Sequence, residues 1–97
     1  MRERVIEIVK QAASEFINRE SNRTSMITVT GIELDRREAH ATIFVSVFPA
    51  KDTHGATDFL NRNRDEFKKH LKKFTSLRMI PRVQFMPDPN MGTTPEE

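Results

Sequence analysis

The sequence predicts one small α+β domain in the order αββααβ, with a three-stranded sheet covered on one face by helices. Three observations lead there. The 97 residues leave room for a single domain. Apolar residues recur at helical spacing in two segments and alternate at strand spacing in the others. Each strand then offers one apolar face and each helix one apolar stripe, so the two kinds of element must bury each other.

The first helix spans about residues 3–18. Val5, Val9, Ala12 and Phe16 recur at spacings of four, three and four, and Ile8, Ala13 and Ile17 widen the stripe. Polar residues 18–25 break it. Residues 26–34 read as a strand in which Ile27 and Val29 share one parity, and Ile32 and Leu34 the other. Gly31 stands at the switch, which implies a bulge that re-aims the strand. Asp35 to Glu38 is a hairpin connection. In the next strand, 39–48, Ala41, Ile43, Val45 and Val47 line one face. Phe44 and Phe48 lie on the other face and are expected to cover a second small core rather than stack on bases. Pro49 ends this strand. Residues 50–56 read as a loop around Gly55.

A helix from about Thr57 to Phe74 carries Leu60, Phe67, Leu71 and Phe74 on its stripe. The missing member falls on Asn63. An Asn there resolves if the helix breaks, and Asn63-Arg64-Asp65-Glu66 has the form of a capping box, with Asn63 as N-cap and Glu66 three residues on. The expectation is a short helix, a kink at Asn63 and Asp65, and a second helix of about three turns. Pro81 opens a last strand, in which Val83 and Phe85 share a face. Residues 1–86 are thus expected to form the domain, and 87–97, with two terminal acids, a flexible acidic tail.

Composition narrows the function. There is no cysteine, hence no disulfide, thiolate metal site or thiol nucleophile. No run is long and apolar enough to span a membrane, and the N-terminus alternates charges with aliphatics, so a cytoplasmic location is expected. His40, His54 and His70 fall on a strand, a loop and a helix with no metal-ligand spacing. No serine sits in a nucleophile elbow, and three scattered glycines cannot build a phosphate loop. Neither an enzyme nor a cofactor or small-molecule substrate is indicated.

The charge distribution points elsewhere. From Arg62 to Arg82 there are eight basic residues (Arg62, Arg64, Lys68, Lys69, Lys72, Lys73, Arg78 and Arg82) against two acids, a net +6. The rest of the chain has eight basic residues against twelve acids, a net −4. Such asymmetry fits a polyanion. With Phe67, Leu71 and Phe74 inward, Lys68, Lys69, Lys72 and Lys73 flank the stripe or face out. There is no Trp or Tyr, so the expectation is recognition of structured RNA by backbone and shape. The alternative is a small interaction module that docks its basic helix on an acidic protein.

The αββααβ order, with a helix–turn–helix pair before the last strand, is the arrangement of the KH domain of the second type. The Gly-x-x-Gly loop of an ordinary KH domain is absent, because no glycine lies between Gly55 and Gly92. A KH-like fold with a kink in place of that loop resembles the ribosome-binding factor A family. The resemblance rests on two blocks. One is Thr28-Val29-Thr30-Gly31-Ile32-Glu33-Leu34 with Ala41-Thr42-Ile43-Phe44-Val45-Ser46-Val47. The other runs from Leu71-Lys72-Lys73 through Leu77-Arg78-Met79-Ile80-Pro81-Arg82-Val83-Gln84-Phe85. Where the family carries Ala-x-Gly at the kink, this chain has Asn63-Arg64-Asp65, and Ser21-Asn22-Arg23 stands in the loop after the first helix. The resemblance implies a non-catalytic assembly factor that binds immature 16S rRNA of the 30S subunit near the neck and decoding region, and a monomer is expected. It also implies help in late maturation, and release before translation, often with an assembly GTPase.

Overall fold

The computed structural model describes residues 2–20, 25–74 and 79–89. Helix α1 (Arg2–Glu20) buries Val9, Ala12, Ala13, Phe16 and Ile17. These are residues that their spacing placed on one stripe, and the stripe lies over β1 and against the last helix.

Strands β1 (Met26–Leu34) and β2 (His40–Phe48) pair antiparallel. Ile27 faces Val47 and Val29 faces Val45; beyond a register shift between Val29 and Gly31, Ile32 faces Ile43 and Leu34 faces Ala41. Thr30 is the extra residue. Without it Ile32 and Leu34 would turn to the outer face, so the parity switch in the sequence and the bulge are one fact. Strand β3 (Arg82–Pro87) lies parallel to β2, giving the order β1-β2-β3. A parallel neighbour requires a long crossover. A single 3-10 turn (Ala50–Asp52), α2 (Thr53–Arg62) and α3 (Arg64–Phe74) supply it.

Three aromatic rings tie the layers together. Phe67 on α3 meets Phe16 on α1 at 5.3 Å and Phe85 on β3 at 5.7 Å between ring centres, both edge to face. All three are fully buried, so this stack is the centre of a thin core.

Three expectations need correction. Residues 50–56 are not a loop: α2 begins at Thr53, and Gly55 lies inside it. The Thr53 hydroxyl donates to the Ala50 carbonyl and the Thr57 hydroxyl to the Thr53 carbonyl, while Ala56, Phe59 and Leu60 pack on the core. Burial of that stripe outweighs one exposed glycine, which costs about 1 kcal/mol in a helix. The strand boundary also moves. Pro87 belongs to β3, the Asp88 N–H donates to the Val45 carbonyl, and the Thr30 hydroxyl donates to the Asp88 carboxylate at 2.6 Å. A ladder bond and a side-chain clasp thus hold two residues assigned to the tail; residues 90–97 lie outside the described residues. Finally, Phe48 covers no second core. Among the described residues no helix lies on that face, and Phe48 is 72% exposed beside Met26, its cross-strand partner.

Candidate nucleic-acid interface

Burial of Phe67 and Leu71 fixes the rotation of α3 and leaves Lys68, Lys69, Lys72 and Lys73 exposed along it. Arg64, Lys68 and Lys72 recur every four residues, about 6 Å apart along the axis. Strand β3 brings a fourth cation to this row. Arg82 lines a shallow cleft of about 320 Å³ with Arg64 and Lys68, closed by Pro81 and Val83 and sharing Asp65. A neighbouring groove is lined by Arg62 and Arg64 with Asp58, Asn61 and Asp65. The structure therefore brings together Arg62, Arg64, Lys68 and Arg82. Lys69, Lys72 and Lys73 extend the surface along α3, and Arg78 lies outside the described residues.

Most of this charge is uncompensated. Lys69 approaches Glu66 at 3.6 Å, one turn earlier on the helix. Among the described residues, Arg62, Lys68, Lys72, Lys73 and Arg82 have no carboxylate within 4 Å. The Arg64 guanidinium donates to the Asn61 carbonyl. A row of cations with few paired acids attracts phosphate oxygens, and the arginines can fork onto them.

The break between the helices falls where the sequence placed it, but its chemistry differs. Asn63 stands alone between α2 and α3, with φ −105° and ψ 21°. Its side-chain amide donates backward to the Phe59 carbonyl at 2.8 Å. Asn63 thus satisfies an orphan acceptor at the end of α2 instead of capping the start of α3. Its own carbonyl accepts from the Phe67 N–H, the first helical bond of α3. Asp65 is exposed in the first turn of α3, where an acid suits the helix dipole.

Sequence reasoning missed Asn61. Its carboxamide takes both backbone groups of Phe85: Nδ2 donates to the carbonyl at 3.0 Å, and Oδ1 accepts from the N–H at 2.9 Å. The side chain behaves as one more strand residue on the open edge of β3, and it fixes α2, with Arg62 at its end and Arg64 opening α3 just beyond, to the strand that carries Arg82. Its only trace in the sequence is a poor helix former next to Leu60 on the edge of the stripe.

The histidines build no reactive centre. The His40 Nδ1 lies 3.0 Å from the Asp35 carboxylate, His54 is exposed on α2, and His70 sits among the rings of Phe16, Phe67 and Phe74. Among the described residues, no three metal-ligating side chains converge. Among them, too, no helix is long and apolar enough to cross a membrane.

The family model for ribosome-binding factor A matches residues 1–94. The chain belongs to the ribosome-binding factor A family. The ribosome-binding factor A of Carboxydothermus hydrogenoformans is 29% identical over 92 residues, spanning 92% of this chain and 74% of that protein. This chain spans between about half and three quarters of the length of the curated relatives it matches. The crystal structure of ribosome-binding factor A from Thermus thermophilus superposes with a TM-score of 0.79 at 22% identity, over 90% of this chain and 96% of that one. A Thermus thermophilus ribosome-binding factor A homology model, fitted into a cryo-electron-microscopy map of a 30S complex, has a TM-score of 0.72 at 24% identity, over 81% and 86% of the two chains. These likenesses show the fold, α+β with the KH-like arrangement.

Proposed function

We propose that this chain is a non-catalytic ribosome assembly factor that binds the immature 30S subunit through 16S rRNA and assists its late maturation and rRNA processing. One observation carries the reading: the row of largely unpaired cations from α3 and β3, presented on one side of a ribosome-binding factor A fold. The names of its relatives, and the fitting of one into a 30S complex, supply the class of partner. Exposed aromatics are missing from the row, so the contact is with RNA backbone and shape. The binding unit is residues 1–86 together with the two that complete the sheet, acting as a monomer in the cytoplasm.

The test is co-sedimentation with purified 30S particles at several salt concentrations. Removing one phosphate contact flattens the salt dependence by about one unit of slope. Changing Lys68, Lys69, Lys72 and Lys73 to Gln weakens binding at least about tenfold at moderate salt, or about 1.4 kcal/mol. These four are exposed, so the fold survives. Changing exposed Lys10 and Lys51 is the matched control. Parental binding by the fourfold variant would leave the basic helix as a merely solvated face. Insensitivity of the complex in extract to RNase would favour an acidic protein partner.

A further inference from the structure

The hairpin between β1 and β2 lies at the same end of the domain as Arg82. The Arg82 N–H donates to the Ala39 carbonyl at 2.8 Å, and Arg82 and His40 are direct partners across the β2–β3 ladder. The turn thus projects beside the mouth of the cleft that Arg64, Lys68 and Arg82 line. At its tip Arg36 and Arg37 are exposed.

Two acids flank them in the chain, Asp35 and Glu38, and neither pairs with them at short range. Both carboxylate oxygens of Asp35 are engaged within the turn. Oδ1 accepts from the Ala39 and His40 N–H groups at 2.8 and 3.2 Å, and Oδ2 meets the His40 ring. The turn closes through the Glu38 N–H on the Asp35 carbonyl, with Glu38 at φ 58°. The tip is therefore a built loop whose first acid is tied up by its own backbone and by His40, with both arginines exposed. Among the described residues, neither Arg36 nor Arg37 has a carboxylate within 4 Å.

We infer that Arg36 and Arg37 form a second phosphate-binding arm, which grips the same RNA backbone as Arg64, Lys68 and Arg82. This rests on the reading of the chain as an RNA binder. A helix row alone follows one strand of a duplex. An arm on a separate element, joined to the row through β3, adds contacts to a second stretch of backbone and so responds to the shape of a folded RNA. Arginine suits this role because its fork can hold two phosphate oxygens at once.

The experiment uses the full chain and two probes, a synthetic A-form RNA duplex and purified 30S particles. The variant Arg36→Gln/Arg37→Gln is compared with the parent and with the fourfold Lys→Gln variant of α3. Thermal melting verifies that the exposed tip was changed without loss of fold. The expected result is affinity at least about fivefold weaker for both probes, with a salt slope reduced by about one to two units. Parental affinity and slope for the hairpin variant, alongside a weakened helix variant, would overturn the arm and leave the proposed function standing. If both variants bind as the parent does, both ideas fall. Weakened binding to 30S particles with parental binding to the duplex would show that the arm does not grip the backbone that the helix row holds, which also overturns the inference.

Discussion

Asn61→Ala tests how the site is held together. Phe85, whose N–H and carbonyl Asn61 satisfies, is only 1% exposed. Truncation removes two hydrogen bonds at once and opens the edge of β3. A buried backbone group left without a partner costs about 1–3 kcal/mol. Asn61 is half-buried against an edge strand, so water reaches part of the gap and the lower end applies. About 1 kcal/mol per group gives about 2 kcal/mol in all. For a domain of this size that lowers the melting temperature by about 8–16 °C.

Two measurements follow the same variant. Thermal unfolding gives the stability, with Asn18→Ala on the exposed face of α1 as control. Amide exchange reads the Phe85 N–H itself, which Asn61 protects across that edge. The expected result is a large drop in melting temperature and faster exchange at Phe85, with the control unchanged. Asn61→Asp separates the two bonds, since it keeps the acceptor for the Phe85 N–H but sets a carboxylate against the carbonyl. A melting temperature within about 2 °C of the parent for Asn61→Ala, far below the roughly 4–8 °C per kcal/mol expected, would refute the pairing as a source of stability.

Other outcomes follow from single contacts. Asn63→Ala removes the bond to the Phe59 carbonyl and costs about 1 kcal/mol in denaturant unfolding; an unchanged midpoint would show that the break needs no side-chain partner. Gly55→Ala stabilises the protein by about 0.5–1 kcal/mol, because the site is helical and an added Cβ meets nothing within 4 Å; destabilisation would restore the loop reading. The His40 side chain, then the His40 and Ala39 N–H groups, hold the Asp35 carboxyl below its ordinary value of 3.8. A depressed carboxylate stabilises above its unfolded value, and that contribution is lost as pH falls through the folded one. Carboxyl titration by NMR should place the Asp35 midpoint below 3.8, and a midpoint at or above it would contradict the geometry of the turn.

What the sequence made legible and what it hid differ in kind. Stripes and parities are one-dimensional patterns with a single cause, the burial of one face. They therefore located α1, β1, β2, α3 and the bulge at Thr30 to within a residue or two. Gly55 misled because a local breaker was weighed without the tertiary contacts of Ala56, Phe59 and Leu60. Phe48 misled because an aromatic on a strand was given a core, and among the described residues no third layer builds one.

The site shows the same division more finely. The exposure of Lys68, Lys69, Lys72 and Lys73 follows from the stripe of α3 alone. The convergence of Arg64 and Lys68 with Arg82 does not, since it depends on where β3 enters the sheet. An amide carries both a donor and an acceptor, so an Asn at a helix junction can serve the helix before it or the helix after it. The pattern conflict at position 63 located the break, yet only the fold shows that Nδ2 turns back to Phe59. Asn61 is the limiting case. Its partner lies 24 residues away, and no periodicity links the two. That pairing ties α2 to β3 beside the core packing of Leu60 and Phe85, and so helps Arg62, Arg64 and Arg82 present one surface to a phosphate backbone. A destabilised edge in Asn61→Ala should therefore weaken RNA binding even at temperatures where the domain remains folded, although Asn61 contributes no charge of its own.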